Sequence, residues 1–488
     1  MKVLTKSNYI IGLECPKFLW EIFNNPKRIR KELSLADQFK FDEGGKVGEM
    51  AKKLFPDGIS LPQNYRQNIK ETKNSLSKKR PLFEAGFEFS GCFSRADILI
   101  PNEDKWDIIE VKSGTSVKDI NLHDLAFQKY VYERNELKIG RCFLLHLNNN
   151  YKRNGELNLK ELFENEDVTE EVNKISKEIE KTIEDMFKII SLKKSPKAGI
   201  FTQSKIKNGY HDCLVEGCVS LPDNNVFCLY RGGKLSCELL DGGIEAIKDI
   251  PDEVELNIKQ SIQKECEITK KSYINKEEIK MFLEQLKYPI YYLDFETFRT
   301  AIPMFDGLKP YSQVPFQFSI HIIKEKGTEP EHHAFLYKGD KDPRKDFTFA
   351  LKNLLGENGT VLVYNQTFEV GRLKELAENM PSYKKWVDST LNRVVDLLVP
   401  FREFSYYNSI QQGSASIKKV LPALCNVDYS GMEIEDGVTA SIEFFRVTYN
   451  DCSKEERDEV RENLLKYCEL DTLAEVMIVE KLMDLAKE

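Results

Sequence analysis

An α/β architecture spread over more than one domain is the class this sequence predicts, on three observations. Runs of strand length and apolar or alternating character recur with longer segments of helical period. They fall first at 93–100, 106–112 and 123–133, and again at 288–293, 360–364, 369–379 and 453–487. A chain of 488 residues predicts two or three domains at about 150 residues each. A hydrophobic content of 41% with 31% charged residues predicts a soluble protein with real cores.

The same composition narrows the function classes. No run of 18 apolar residues exists, so a membrane span and a membrane partner are not expected. The opening MKVLTKSNYIIGLEC is interrupted by Asn8 and Glu14 and lacks a cleavable-signal pattern, which makes the cytoplasm the expected location. A net charge of −8 argues against a general nucleic-acid coat protein but not against a nuclease, whose metal sites need acids. Local basic patches remain: Lys27, Arg28, Arg30 and Lys31; Lys78, Lys79 and Arg80; Lys193, Lys194 and Lys197. Each alone reads first as a solvated face. The eleven cysteines are odd in number, which with an intracellular location argues against a disulfide framework. Four of them, Cys213, Cys218, Cys228 and Cys237, cluster in a way that invites a metal reading.

In chain order, the first chemistry lies in the N-terminal half. Residues 93–100 read as a strand, 101–105 as a turn and 106–112 as a paired strand. Glu110 and Lys112 alternate onto one face, with Val111 opposite, and Asp97 on the neighbouring strand can join them. Two carboxylates can hold Mg²⁺ against a phosphate, and a nearby lysine can position water and stabilise developing negative charge. The helical stretch 123–133 puts Gln128 and Tyr132 four apart on one face. Glu-Val-Lys alone reads as a surface strand with alternating charge; Asp97 upstream and Gln128 and Tyr132 downstream favour a catalytic set.

Asp97, Glu110-Val111-Lys112 and Gln128-x-x-x-Tyr132 resemble the RecB-like branch of the PD-(D/E)XK nucleases. The resemblance implies a restriction-endonuclease-like domain holding one or two Mg²⁺ or Mn²⁺ ions. It also implies an early acid within 41–51, with Glu49 the preferred match, Glu43 in reserve and the family's His absent. Cys15, in Cys-Pro-Lys-Phe-Leu-Trp, resembles the first ligand of the 4Fe–4S cluster that some of these nucleases carry. The remaining ligands would be Cys213 and Cys218, with Cys228 or Cys237 beyond. Two cysteines precede the segment 221–227, where the family has three, so the cluster is irregular; zinc is the alternative for four thiolates.

A helical segment at 168–192 separates this core from the cysteine-bearing tail, so the first domain is expected to span 1–238. A connector, 239–285, follows. Its segment 242–251 is loosely similar to half of a helix-hairpin-helix, against the stronger reading of a packing linker.

The second domain is expected at 286–488. Its apolar run ends in Asp294-Phe295-Glu296, which puts both carboxylates on one strand face and Phe295 into the core. Two acids so placed are costly unless a cation sits between them, and a divalent metal is the usual answer. The run 360–364 leads through Asn365 and Phe368 to Glu369, which opens a helix. The helix 453–487 places Tyr467 and Asp471 on one face. Asp294, Glu296, Glu369 and Asp471 suffice for a two-metal site, with Tyr467 orienting the attacking water.

These motifs resemble the DnaQ-like 3′–5′ exonucleases of the Tyr-x-x-x-Asp branch, which implies an RNase H-like mixed-sheet domain. The departure is Glu369 where the family has Asp, which moves the oxygens outward by one methylene. Asp396 is an acid of the outer shell. With 41–51, 310–321 and 417–422, nearly the whole chain resembles a bacterial family that fuses a RecB-like nuclease to a DnaQ-like domain. The function this implies is metal-dependent phosphodiester hydrolysis, 3′–5′ on single-stranded DNA with a second RecB-like site, in repair, recombination or defence. An RNA-processing exonuclease and a nucleic-acid-binding scaffold with inactive sites stay open. The chain has no Gly-x-x-x-x-Gly-Lys-Ser/Thr motif of its own, and the resemblance suggests a helicase partner.

Overall fold

The computed structural model describes residues 2–29, 33–196 and 221–487. It is a mixed α/β protein divided into two compact units: Met1–Ser220 with Thr300–Ser312, and Leu221–Arg299 with Gln313–Glu488. None of the described helices is long and apolar enough to cross a membrane.

In the first unit the strands are β1 (Leu4–Thr5), β2 (Ile59–Ser60), β3 (Leu82–Phe89), β4 (Cys92–Asn102), β5 (Lys105–Lys112), β6 (Ile139–Leu147) and β7 (Phe163–Asp167). They form one sheet in the order β2-β3-β4-β5-β6-β7, with β1 beside β4. The hairpin β4–β5 closes through Glu103 and Asp104, with Glu103 left-handed at φ 55°, so the expected turn is shorter than 101–105 and Pro101 pairs with Trp106. The helix Asp119–Glu133 crosses from β5 to β6, which pair in parallel as such a crossover requires. Its buried Leu125, Ala126 and Phe127 pack with Ala85, Phe87 and Leu99 of the sheet. The segment 168–192 forms two helices, Thr169–Ser176 and Ile179–Ser191.

The helix Leu35–Lys52 starts on Ser34, whose hydroxyl accepts from the Asp37 N–H at 3.1 Å. It holds together through Gly44, Gly45 and Gly48, each costing about 1 kcal/mol relative to Ala, by burying Val47 and Ala51 against Phe83 and Ile98. Ala301 joins that cluster. Its N–H donates to Glu43 Oε2 at 2.6 Å, and Arg153 Nη1 donates to the carbonyl of Pro303 at 2.9 Å.

The second unit contains β8 (Tyr273–Ile274), β9 (Ile290–Phe298), β10 (Val314–Ile323), β11 (Glu331–Leu336), β12 (Thr360–Val363), β13 (Val394–Asp396) and β14 (Tyr406–Tyr407). Its five-stranded sheet runs β11-β10-β9-β12-β13: the first three strands are antiparallel, and β12 and β13 run parallel to β9. Strand periodicity sends Tyr291, Leu293 and Phe295 into a core with Phe318, Phe347 and Val361. The other face meets the helix Lys454–Lys487. There Gln317 Nε2 donates to the Leu464 carbonyl at 2.7 Å, and Ser319 Oγ and His321 Nδ1 lie 2.7 and 2.8 Å from Thr472 Oγ1.

The domain boundaries differ from the sequence expectation. Residues 221–238 belong to the second unit, and so does the expected connector 239–285. Val226 and Leu229 share a cluster with Leu239, Ile247 and Ile250. Asn224 donates to Glu267 at 2.9 Å, and the Tyr230 N–H donates to Gln263 at 2.6 Å. The segment 242–251 thus packs inward as one short 3₁₀ turn after the helix Gly233–Asp241. Segment 300–312, expected in the second domain, belongs to the first unit.

Candidate functional sites

The acidic stretch of β9 carries one of two sites. Asp294, Glu296 and Asp471 each offer an oxygen, and all three oxygens lie within 4.8 Å of one another. Among the described residues this is the one group of three or more ligand-type side chains so close. The helix Lys454–Lys487 lies over the face of β9 that carries both strand acids, which is why residues far apart in sequence meet.

Burial raises the pKa of all three carboxyls; mutual repulsion adds to this at Asp294 and Glu296, and Asp471 is pushed up to about 6. Tyr429 donates to Asp471 Oδ1 at 2.6 Å, Tyr467 also bonds that carboxylate, and the Cys468 thiol lies 3.7 Å from Asp294 Oδ2. The positive field at the trio comes from Lys418, whose ammonium sits 5.2 Å from the Tyr467 ring centroid and 5.3 Å from that of Tyr429, and bonds the Glu435 carbonyl.

The predicted fourth acid, Glu369, opens the helix Thr367–Asn379. It is 2% exposed and has an unpartnered Oε2. Its pKa is raised by burial first and then by Asp294, but it stands outside the 4.8 Å group. Asn365 adopts φ 73° and its N–H donates to Asp396 Oδ1 at 2.9 Å; Asp396 also accepts from the Leu398 N–H at 3.0 Å. Asp396 therefore shapes the turn that presents Glu369. Phe368 packs against the core beside Glu369.

Glu475 was not anticipated. It lies one helical turn beyond Asp471, is 1% exposed, and also has an unpartnered Oε2. The four-residue spacing Tyr467, Asp471, Glu475 was the available signal.

In the first unit the structure brings Asp97, Glu110, Lys112 and Gln128 together, and adds Lys6 and Asp124. Glu110 accepts from Lys112 at 2.6 Å, from Lys6 at 2.8 and 3.0 Å, and from Gln128 Nε2 at 2.6 Å. Asp124 takes Lys112 at 2.7 Å and Lys6 at 3.4 Å. Asp97 Oδ2 accepts the Val111 N–H at 2.7 Å. Burial pushes the Glu110 carboxyl up, but the ammonium groups of Lys112 and Lys6 hold it well below the usual range. Asp97 rises to about 7 through burial and the Glu110 charge. Asp124 could have been found from its spacing of four before Gln128. Lys6, more than a hundred residues from Glu110 in sequence, had no local signal.

A groove of about 700 Å³ is lined by Asp97, Glu110 and Lys112 on one side and by Gly44, Gly48 and Glu49 on the other. Glu49 is exposed and pairs with Lys52 at 2.7 Å. Two sequence candidates have structural duties. Glu43 is buried against the Ala301 N–H and pairs with Lys46 at 2.8 Å. Tyr132 is fully buried, donating to the Ala85 carbonyl at 2.5 Å and accepting from the Ala96 N–H at 2.6 Å, so it ties two strands rather than facing the groove.

Of the expected cluster cysteines, Cys213 and Cys218 lie outside the described residues, as do Arg30, Lys31 and Lys197 of the basic patches. Cys15 belongs to the first unit, where its buried sulfur accepts the Phe18 N–H at 3.1 Å. Cys228 belongs to the second unit, and its carbonyl accepts from Gln263 at 2.8 Å. Cys237 is partly exposed on the helix Gly233–Asp241.

Comparison with known proteins finds a match between residues 291–416 and a family described as a domain of unknown function, DUF2779. That stretch contains Asp294, Glu296 and Glu369. The uncharacterized protein MG366 of Mycoplasma genitalium is 29% identical over 223 residues, 42% of this chain and 33% of that protein. The MG366 homolog of Mycoplasma pneumoniae is 28% identical over 216 residues, 40% of this chain and 32% of that protein. The uncharacterized protein UU173 of Ureaplasma parvum is 25% identical over 228 residues, covering 42% and 33%. The chain spans about a third of the length of the curated relatives it matches.

Proposed function

We propose that this protein is a metal-dependent nuclease with a DnaQ-like 3′–5′ exonuclease site in its second unit and a RecB-like site in its first. The observation that carries the reading is the convergence of Asp294, Glu296 and Asp471 within 4.8 Å, with the unpartnered oxygens of Glu369 and Glu475 buried nearby. Such a donor set, all hard oxygens and under-compensated by Lys418, fits Mg²⁺ or Mn²⁺. The mixed five-stranded sheet, with two of the acids on its central strand, supports the RNase H-like assignment.

Asp294, Glu296 and Asp471 would hold the metal, with Glu369 beside them. A bound divalent ion supplies charge neutralisation for a phosphodiester and an acidified water. Tyr467 orients the attacking water, its ring fixed between Lys418 and Asp471. Lys418 adds positive field where the phosphate charge develops.

In the first unit Asp97, Glu110 and Asp124 would hold the ion, Gln128 fixes the Glu110 carboxylate, and Lys112 positions water. The fit is poorer here, because Lys6 already bridges Glu110 and Asp124. Single-stranded DNA is the favoured substrate, and RNA is the second reading. A role beside a helicase in repair, recombination or defence is part of the proposal.

The test is digestion of matched 5′-labelled single-stranded DNA and RNA with Mn²⁺. We expect a ladder shortening from the 3′ end of the DNA that is lost in Asp294→Ala, and any residual internal cuts to be lost in Lys112→Ala. Activity untouched by either substitution overturns the two-site reading. Binding without cleavage of either polymer makes the chain a scaffold.

A further inference from the structure

Lys6 answers to no sequence motif, yet its ammonium lies between two acids of the first unit's site. Its backbone is held in place. β1 pairs with β4 through Leu4 and Thr5, and the Thr5 hydroxyl caps the helix Lys6–Glu14 by accepting the Asn8 N–H at 3.2 Å. From that fixed start the side chain reaches Glu110 and Asp124. Glu110 Oε1 accepts from Lys6 at 2.8 Å and from Lys112 at 2.6 Å, and Oε2 accepts from Lys6 at 3.0 Å and from Gln128 at 2.6 Å. A carboxylate offers about four lone-pair sites, so those of Glu110 are all taken. Asp124 is engaged on both oxygens: Oδ1 by Gln128 at 3.1 Å and Lys6 at 3.4 Å, Oδ2 by Lys112 at 2.7 Å. Gln128 turns its amide so fully to these acids that its own buried Oε1 has no hydrogen-bond partner.

This saturation bears on the ion that the same acids would hold. A divalent ion needs carboxylate lone pairs, and those of Glu110 already face ammonium and amide donors. The Lys6 ammonium bridges Glu110 and Asp124 where a dication would have to bridge them. Adding the ion with both lysines in place would also leave more positive than negative charge among Asp97, Glu110, Asp124, Lys6 and Lys112, around a Glu110 that is 1% exposed. Lys112 touches one oxygen of each acid, whereas Lys6 covers both oxygens of Glu110. Lys6 is therefore the group in the ion's way. Its side chain is 21% exposed, and its flexible stem can turn the ammonium into water while the backbone stays paired. We propose that the Lys6 ammonium and a divalent cation are alternative occupants of one position between Glu110 and Asp124, so that the first unit loads Mg²⁺ or Mn²⁺ only when Lys6 turns out of the site. The inference rests on the metal-nuclease reading of the first unit, and adds to it a built-in competitor that sets when the ion loads.

The experiment uses the full chain with the second unit's site disabled by Asp294→Asn and Asp471→Asn. Mn²⁺ is titrated by electron paramagnetic resonance with and without Lys6→Met. We expect Lys6→Met to bind the first-unit ion at least about tenfold more tightly, and the gain to vanish when Glu110→Gln is added. Removing a nearby positive charge would by itself tighten a cation, so a second readout tests displacement. It is a pulse of acetic anhydride, read by mass spectrometry, on the protein that keeps Lys6. Saturating Mn²⁺ should raise acetylation of Lys6 at least about fivefold and leave that of the exposed Lys188 unchanged. Equal Mn²⁺ affinity with and without Lys6, or a Lys6 that stays masked while Mn²⁺ is bound, overturns the inference and leaves the metal reading standing. No Mn²⁺ in the first unit with or without Lys6 overturns the metal reading of that unit, and the inference with it. Should Lys6→Met fail to fold, the acetylation pulse decides alone, because it needs no change at Lys6.

Discussion

Glu110 and Asp294 are both delivered by an apolar strand, Glu110 to a buried position and Asp294 to a half-buried one, and their surroundings differ in sign. Glu110 is gripped by two ammonium groups and a glutamine amide. Asp294 faces other acids, and its positive field comes from Lys418 through a pair of aromatic rings. The first unit has built its counter-ions into the chain; in the second, the proposed metal would supply that charge. A buried carboxylate thus says little about metal affinity until the neighbouring cations are counted.

The comparison is sharpest in stability measured in EDTA. Replacing Lys6 or Lys112 by Met strands buried carboxylates and should destabilise the protein by about 3 kcal/mol. Asp294→Asn relieves like-charge repulsion and should stabilise the metal-free protein by about 1–2 kcal/mol. Chemical denaturation decides: equal destabilisation by all three would erase the contrast.

Metal should then act on one region more than the other. At a hundredfold excess over its Kd, Mn²⁺ adds about 2.7 kcal/mol. Thermal scans should show the gain surviving Lys6→Met and disappearing in Asp294→Asn. A gain that depends on the first unit alone would reverse the assignment.

The pH dependence should carry opposite signs. Glu110 is held below its unfolded range, near 4.3, so its contribution is full above that value and fades as pH falls through the lower folded one. Asp471, raised to about 6, is stabilising below about 4, and that contribution is lost as pH rises through about 6. Between pH 4 and pH 7 in EDTA, Glu110→Gln should therefore cost more at the higher pH. Asp471→Asn should become relatively more favourable there, by about 2 kcal/mol. Urea midpoints of the two variants moving in the same direction would break the comparison.

The smallest effect concerns Glu49. As an exposed residue paired only with Lys52, its change to Gln should shift stability by less than about 0.5 kcal/mol. If it is the early acid of the first site, cleavage there should still fall at least tenfold; unchanged cleavage removes Glu49 from the site.

Much of both sites was legible because their spacing is local. Asp294 and Glu296 share a strand face, as do Glu110 and Lys112. Helical spacing put Tyr467 beside Asp471, and would equally have offered Asp124 beside Gln128 and Glu475 beside Asp471. The same spacing misled at Tyr132, which shares a helix with Gln128 yet is spent on the strand carbonyl of Ala85. Glu43 was likewise an acid of the right segment with a backbone N–H to satisfy.

By itself, the sequence determined the mixed α/β class, the strands and helices that carry the motifs, and which acids share a face. Strand and helix periods are properties of neighbouring residues. Only the tertiary structure decided that 221–238 and 239–285 join the second unit and 300–312 the first. Only it brought Lys6 onto Glu110 and left Glu475 without a counter-ion. Compensation of a buried charge depends on what arrives through space, and the chain's local period carries no record of that.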